Sequence, residues 1–527
     1  MSIKDIIIHK VNETYVRLEC SEGITTHIYN SFRFTNRKLQ HHPKVKARLW
    51  SGYITMLDRR NNYMYLGLIE DLVKFCIEHE YTYEFTFKKE NNYDEQLLSK
   101  TLELLVEDSF QLREHQLNAV NFALKNNRGV IVSATASGKS LVLYIISMYY
   151  LLKDSKKVMI VVPRTQLVTQ LKDGFVEYHK GDKEEFSKSF ELIYSGSLDR
   201  NSADSSITIS TWQSLMSKPK AYFEDFDVVI VDEVHGAKAK SITTIMENCT
   251  NAKFKFGCTG TLSNENEESE IDELVIKGLF GRVETVSKNR ELMDKGIITE
   301  ATIHLIHLKY TDKTLCSTII KGNQEIREIQ DYTTKRKKIF EAEISYVINS
   351  VLRNLFIRNL AMTRKGNTIV MFQFVEKQGK ILYDLFHDIA ESVGKEVFYI
   401  HGKVNVVERN RIQELVEKQD NIILVSSFGT SSTGLDYKNI HNIIFASGFK
   451  SKITMKQSIG RGLRKHKNKE MLHVYDIADD FSMGKKTKNF MFNHFIERVQ
   501  MYKEEKFKIE LTEYEVGSTN ILKRIPK

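Results

Sequence analysis

Two series of short, unbroken apolar runs restrict what this chain can fold into. The first occupies residues 129–133, 157–162, 207–210, 228–231 and 254–258, and the second 368–372, 397–400, 422–426, 443–446 and 472–475. Unbroken rather than alternating hydrophobicity means that both faces of a strand are buried, as in parallel sheets covered by helices on either side. Helical patterns between the runs, such as 376–393 and 406–418, supply those helices. The expected class is α/β, with one parallel-sheet domain at 109–290, a second at 346–485, and a bridging segment at 291–345.

The flanking stretches are of other kinds. Residues 1–108 carry strand-like runs at 5–9, 14–19 and 52–57, a helical segment at 69–79, and a hairpin turn at Arg59-Arg60-Asn61-Asn62. They predict a small α+β accessory domain. Residues 486–527 predict a helical tail whose periodicity fades. The longest apolar run, 141–152, is too short to cross a bilayer, and the amino terminus lacks the basic-then-apolar pattern of a secretory leader. Five scattered cysteines form neither a CxxC pair nor a zinc spacing. The reading is a cytoplasmic protein of a reducing compartment, with no membrane and no structural metal, monomeric or weakly self-associating.

Chemistry enters where the 129–133 run ends. Ser133, Ala134, Thr135, Ala136, Ser137, Gly138, Lys139 and Ser140 lead from a strand into a helix and end in Gly-Lys-Ser. A phosphate cradle needs inward-pointing backbone N–H groups, a lysine for the β- and γ-phosphates, a hydroxyl for Mg²⁺ and a helix amino terminus, and this stretch supplies them. Ser133 stands where the usual pattern has its first glycine. Asp232 and Glu233 follow the 228–231 run. Asp232 with Ser140 would hold Mg²⁺, while Glu233 would orient an attacking water. ATP and Mg²⁺ are the expected cofactors. Thr259-Gly260-Thr261 follows the next run.

Far down the chain, Arg461 and Arg464 stand three apart, a spacing that places them on one helical face. Arginines reaching a triphosphate held by a different domain would couple hydrolysis to domain movement, so the chain reads as a motor. The net charge of +9 is concentrated. Residues 31–60 hold eight Lys or Arg against one acid, and residues 449–469 hold eight and no acid. Such clusters either bind phosphate backbones or form solvated faces. Arg33, Arg37, Lys38 and Arg48 are the nucleic-acid candidates of the first cluster. Trp50 beside it is either a core residue or a stacking surface for a base.

In their order along residues 112–464 these stretches resemble helicase superfamily two. Leu112 to Gln116 resembles its adenine-recognition element, with His115 where an aromatic residue is common, and implies base contacts by Arg113 and Gln116. The loop at 133–140, Asp232-Glu233-Val234-His235, Thr259 to Thr261 and Gln457 to Arg464 resemble its motifs I, II, III and VI. Residues 162–167 and 210–215 are similar to strand-contacting motifs, and 431–436 to motif V. The resemblance implies two RecA-like domains and nucleotide contacts by Gly434, Asp436 and Gln457. It also implies nucleic-acid contacts by Arg164, Gln166, Thr211, Gln213, His401, Thr430 and Lys450. Asp-Glu-Val-His with Thr-Gly-Thr argues against a DEAD-box RNA helicase.

Closer still, Arg48 to Gly52, Tyr65 to Ile69, Gly448 to Lys452, Gly462 to His466 and Asp476 to Asp480 resemble the phage UvsW-type recombination and repair helicases. That resemblance implies ATP-driven remodelling of branched DNA (Holliday junctions, forks, D-loops and R-loops, hence RNA–DNA hybrids) in the cytoplasm of a host cell. Two other classes compete: a double-strand translocase subunit of a restriction-type complex, and a non-catalytic DNA-binding scaffold.

Overall fold

The computed structural model describes residues 4–35, 37–88, 93–105, 111–154, 157–194, 205–235, 239–260, 262, 267–431, 437–448, 451–484, 487–517 and 522–525; side chains at 37–38, 154, 239–240, 267–270, 406, 431 and 522–523 lie outside the description. The chain divides into two compact units, Met1–Ser287 and Lys288–Lys527.

The first unit holds a seven-stranded parallel sheet. Its order is Phe190–Ile193, Ile207–Thr211, Val158–Val162, Val228–Asp232, Phe254–Thr259, Arg128–Ser133 and Val283–Ser287. All five apolar runs expected here are strands, and four of the resulting strands are buried at nearly every residue. The strand with Asp232, the strand with Thr259 and the strand entering the Ser133–Ser140 loop are consecutive neighbours. Their carboxyl ends therefore lie side by side, where open α/β sheets bind their ligands.

The accessory region belongs to this same unit. A mixed sheet, ordered Leu57–Asp58, Tyr63–Tyr65, Tyr15–Cys20, Ile6–Lys10 and Tyr83–Phe85, packs on helices Glu22–Ser31 and Ile69–Glu78. The Arg59 to Asn62 turn closes a hairpin in which Leu57 faces Met64 and Asp58 faces Tyr63. The 3₁₀ turn Leu66–Leu68 lies so close to the first parallel-sheet domain that a Cβ on Gly67 would stand 2.3 Å from the Lys277 carbonyl oxygen. Only glycine permits that approach. Nearby, fully buried Lys255 donates to Thr14 Oγ1 at 2.8 Å and to the Met246 carbonyl at 3.2 Å, and burial pushes its pKa down to about 7. The accessory domain is thus fixed to the first sheet by a buried polar contact.

The second unit is built on an eight-stranded sheet ordered Glu396–Ile400, Ile422–Ser427, Thr368–Phe372, Asn442–Phe445, Met471–Asp480, Glu300–Tyr310, Lys508–Val516 and Leu522–Arg524. Seven strands are parallel and the last is antiparallel. Glu300–Tyr310 comes from the stretch expected to bridge the domains. Lys508–Val516 comes from the tail expected to be helical, which here is a helix, Phe490–Glu504, followed by two strands. Two buried ion pairs hold that end together: Arg353 Nε on Asp479 at 2.9 Å, and Arg498 on Asp476 at 2.7 Å. Among the described residues, no helix is long and apolar enough to cross a membrane.

Candidate functional site

In the first unit, strand Arg128–Ser133 passes through the Ser133–Ser140 loop into helix Lys139–Asp154. Ala136 and Gly138 both have positive φ, 65° and 84°, which turns successive N–H groups to one side. A Cβ at Gly138 would lie 2.3 Å from Gln116 Nε2. The amide of Gln116 donates to the carbonyls of Ser137 and Gly138 at 3.0 and 3.3 Å, and its oxygen accepts from Arg113 N at 3.0 Å. His115 Nε2 also meets the Ser137 carbonyl, at 2.9 Å. Gln116, expected at the adenine base, is buried with both ends of its amide on backbone, where it braces the loop; Arg113 is exposed at the helix start.

Ser133 replaces the first glycine of the usual pattern, and its hydroxyl explains the exchange. It is buried, 2.7 Å from Ser137 Oγ and 3.0 Å from Ser287 Oγ, while Ser287 Oγ accepts from Ala134 N at 3.2 Å. Side-chain hydroxyls hold the shape that a glycine would leave to the backbone alone. Lys139 Nζ lies 3.4 Å from the Ser133 carbonyl and 3.8 Å from Glu233 Oε1. Ser140 Oγ is paired with Tyr178 OH at 2.7 Å.

Asp232 closes its strand, and its Oδ1 accepts from Glu233 N at 3.0 Å. Glu233 has φ 51°, a strained value for a non-glycine residue of the kind found at active sites. His235 Nδ1 bonds Thr259 Oγ1 on the neighbouring strand and stands 3.4 Å from Glu233 Oε2. Burial lowers the His235 pKa, so the ring is neutral near pH 7. Gly260 lies beside Thr135 and Lys139, and Thr261 lies outside the described residues. The acidic pair, the lysine and the threonine of the next strand form one connected group.

Burial, then the Glu233 charge, raises the Asp232 pKa, while Lys139 opposes the shift. A folded-state pKa above the unfolded value means that ionised Asp232 weakens folding at neutral pH, and the penalty fades as pH falls toward the unfolded value near 3.9. Asp232→Asn is therefore expected to raise the melting temperature of the nucleotide-free protein at pH 8 by roughly 2–4 °C. The gain should be smaller at pH 5.5, as read by differential scanning calorimetry at the two pH values. The oxygen donors of Asp232 and Ser140, with concentrated negative charge beside them, are of the kind that Mg²⁺ takes.

In the second unit, Ser451 caps helix Lys452–Gly462, which carries Gln457 and Arg461. The helix ends at Gly462 with Leu463 as its C-cap, so Arg464 lies just beyond it rather than on its face. The reason is local packing. A Cβ at Gly462 would come within 2.9 Å of both Ile443 and Leu472, and buried Lys469 donates to the Gly462 carbonyl at 2.9 Å, closing the helix end. Arg464 N still reaches the Arg461 carbonyl at 3.4 Å, so the two arginines remain one turn apart. Thr299 holds the turn from outside, donating N–H to the Leu463 carbonyl at 2.7 Å and its hydroxyl to the Arg464 carbonyl at 3.2 Å. Glu505 binds Lys456 at 2.8 Å and Asn289 at 3.0 Å. Tyr178, Ser287, Thr299 and Glu505 carry no signal in the sequence, because each acts on a partner far away along the chain.

The expected nucleic-acid contacts divide. Arg33, Arg48, Arg164 and Gln213 are exposed, and Gln166 and His401 are half-buried. Thr211 and Thr430 are buried: Thr211 Oγ1 caps the Trp212–Leu215 helix, and Thr430 Oγ1 lies 2.8 Å from Ser427 Oγ. Their hydroxyls are committed to the protein. Trp50 is half-buried, with its indole N–H on the Tyr53 carbonyl at 3.2 Å. Gly434, Asp436 and Lys450 lie outside the described residues, as do the side chains of Arg37 and Lys38.

Residues 5–86 match the family described as DNA helicase UvsW, N-terminal; residues 109–264 match Type III restriction enzyme, res subunit; and residues 349–466 match the helicase conserved C-terminal domain. Across 95% of its length the chain is 31% identical to 98% of the ATP-dependent DNA helicase uvsW of Enterobacteria phage T4. The chain belongs to the UvsW family of ATP-dependent DNA helicases. The crystal structure of T4 UvsW aligns with 97% of this chain and 99% of that one at 28% identity, with a TM-score of 0.48. The DUF1998 helicase MrfA bound to DNA shares the fold over 81% of this UvsW-family chain and 56% of its own, at 15% identity and a TM-score of 0.52.

Proposed function

We propose that this UvsW-family helicase uses ATP hydrolysis to remodel branched DNA. The observation that carries the reading is the side-by-side placement, on three adjacent strand ends, of the Ser133–Ser140 loop, Asp232 with Glu233, and Thr259, with Lys139 Nζ 3.8 Å from Glu233. The loop N–H groups and Lys139 hold the triphosphate. Glu233 orients the attacking water and accepts its proton, while the His235 ring, bonded to Thr259, stands beside Glu233. Ser140 and Asp232 would hold Mg²⁺, which supplies positive charge to the phosphate oxygens when bound. Arg461 and Arg464 come from the other unit to the γ-phosphate, so that each turnover draws the units together and releases them. Movement along DNA then needs backbone contacts that tolerate any sequence.

ATPase stimulation and strand displacement, compared across single strands, duplex, forks, four-way junctions and RNA–DNA hybrids, test this reading. Junctions and forks should stimulate most and be resolved, and equal rates with and without every DNA would contradict it. The match of residues 109–264 to a restriction-enzyme subunit supports a second reading, translocation on duplex without strand separation, for which duplex stimulates fully and no strand is displaced.

The basic cluster of the accessory domain gives a separate expectation. Neutralising Arg33, Arg37, Lys38 and Arg48 together should weaken junction binding and reduce the salt slope of log K by roughly 0.9 for each phosphate that is no longer neutralised. DNA-free ATPase should stay unchanged. Identical binding across a salt titration would make this stretch a solvated face.

A further inference from the structure

The accessory domain carries a groove of about 560 Å³ whose lining includes four tyrosines and two arginines. Tyr15 pairs across the sheet with Tyr65, and Arg17 with Tyr63, so the three tyrosines share one face. Their rings form a ladder: Tyr65 and Tyr15 have centroids 5.2 Å apart at 23°, and Tyr15 and Tyr63 are 6.0 Å apart at 34°. The inner end is anchored, because the hydroxyls of Tyr15 and Tyr65 donate to Glu247 at 2.6 and 2.9 Å. Glu247 lies on helix Ala239–Asn248, the next helix after Asp232 and Glu233, so the ATPase domain forms part of the groove. Tyr63, half-buried, is the outer rung. Around it, the Arg59 guanidinium lies 5.2 Å from the Tyr29 ring centre and donates to Thr26, and Asp58 holds Arg60 with most of its side chain in solvent.

We propose that this groove takes one unpaired nucleotide of a DNA strand, its base stacked on Tyr63 as the next rung and its flanking phosphates on Arg59 and Arg60. A ladder of rings offers a π-face, and a base offers a matching one only when it is unstacked from its neighbours. Arg59, over the neighbouring Tyr29 ring, and Arg60 on the groove lining add phosphate charge neutralisation without sequence preference. Paired duplex presents neither a free base face nor the flexibility to enter. Branch points and displaced strands present both, so the inference rests on the branched-DNA reading and names the element of such a substrate that the accessory domain grips.

The test uses the full-length protein and a dT oligonucleotide with a central 2-aminopurine, read by anisotropy and by quenching of the 2-aminopurine. Wild type should bind and quench. Tyr63→Ala should lose about tenfold in affinity together with the quench, whereas Tyr63→Phe keeps both. Arg60→Ala, at a solvent-exposed side chain where folding is not at stake, should weaken binding severalfold and reduce the salt slope by about one. DNA-free ATPase should be unchanged in all three. Wild-type binding with no quench, or Tyr63→Ala and Arg60→Ala both indistinguishable from wild type, overturns the groove while leaving the motor reading intact. No binding by wild type, with ATPase indifferent to any DNA, overturns the branched-DNA reading itself.

Discussion

Lys139→Ala is expected to abolish ATP hydrolysis, with kcat falling below about one thousandth of the wild-type value while DNA binding persists. The Lys139 ammonium is placed between the loop that begins at Ser133 and the Glu233 carboxylate, at 3.4 and 3.8 Å. Gln116 and the serines that shape the loop carry no charge. Removing Lys139 takes away the charge that meets the β- and γ-phosphates. It also leaves Asp232 and Glu233 without the positive charge that opposes their mutual repulsion. A steady-state ATPase assay beside an anisotropy titration with a four-way junction checks both halves. Wild-type turnover in this variant would remove the phosphate-site assignment.

Arg464→Ala is expected to lower kcat by about 10³-fold or more, the range for an arginine that stabilises phosphoryl transfer from outside the nucleotide's own domain. Nucleotide affinity should change far less, because the loop and Lys139 belong to the first unit. Arg464→Lys should rescue only slightly, since an ammonium lacks the planar fork that spans two oxygens. The main chain of Arg464 is pinned by Thr299 and by the turn from Arg461, so the substitution removes a side chain without freeing the segment. Fluorescent-nucleotide binding and kcat, measured on the same preparations, separate the two effects. An unchanged kcat would assign Arg464 to structure.

The core of each sheet was legible because buried parallel strands write unbroken apolar runs, and every one of those runs is a strand in the fold. The strands that were missed do not follow that pattern. Phe190–Ile193 carries buried Glu191, bonded to Thr208. Val283–Ser287 and Lys508–Val516 intersperse polar with apolar residues, at and next to a sheet edge. Glu300–Tyr310 includes His304 and His307, which pair with His473 and Asp480 on the adjoining strand, and such histidines dilute the apolar signal. The phosphate loop was readable despite Ser133, since strand, Gly-Lys-Ser and helix stand in local order. The hydroxyl staple from Ser287 and the brace from Gln116 were not, because tertiary neighbours, not sequence neighbours, make them. The turn at Arg464 shows the same limit: spacing put both arginines on a helix, and packing at Gly462 ended that helix first.

Arg461 and Arg464 of the second unit are proposed to reach the γ-phosphate of a nucleotide held on the Ser133–Ser140 loop of the first. A crystal structure of the protein with a non-hydrolysable ATP analogue, Mg²⁺ and a DNA junction measures it directly, through the distance from the Arg461 and Arg464 guanidinium groups to the γ-phosphate oxygens. At least one of them is expected at hydrogen-bond distance, about 3 Å, with the β- and γ-phosphates on Lys139. A nucleotide seated on the Ser133–Ser140 loop with both guanidinium groups remote from its γ-phosphate would contradict it.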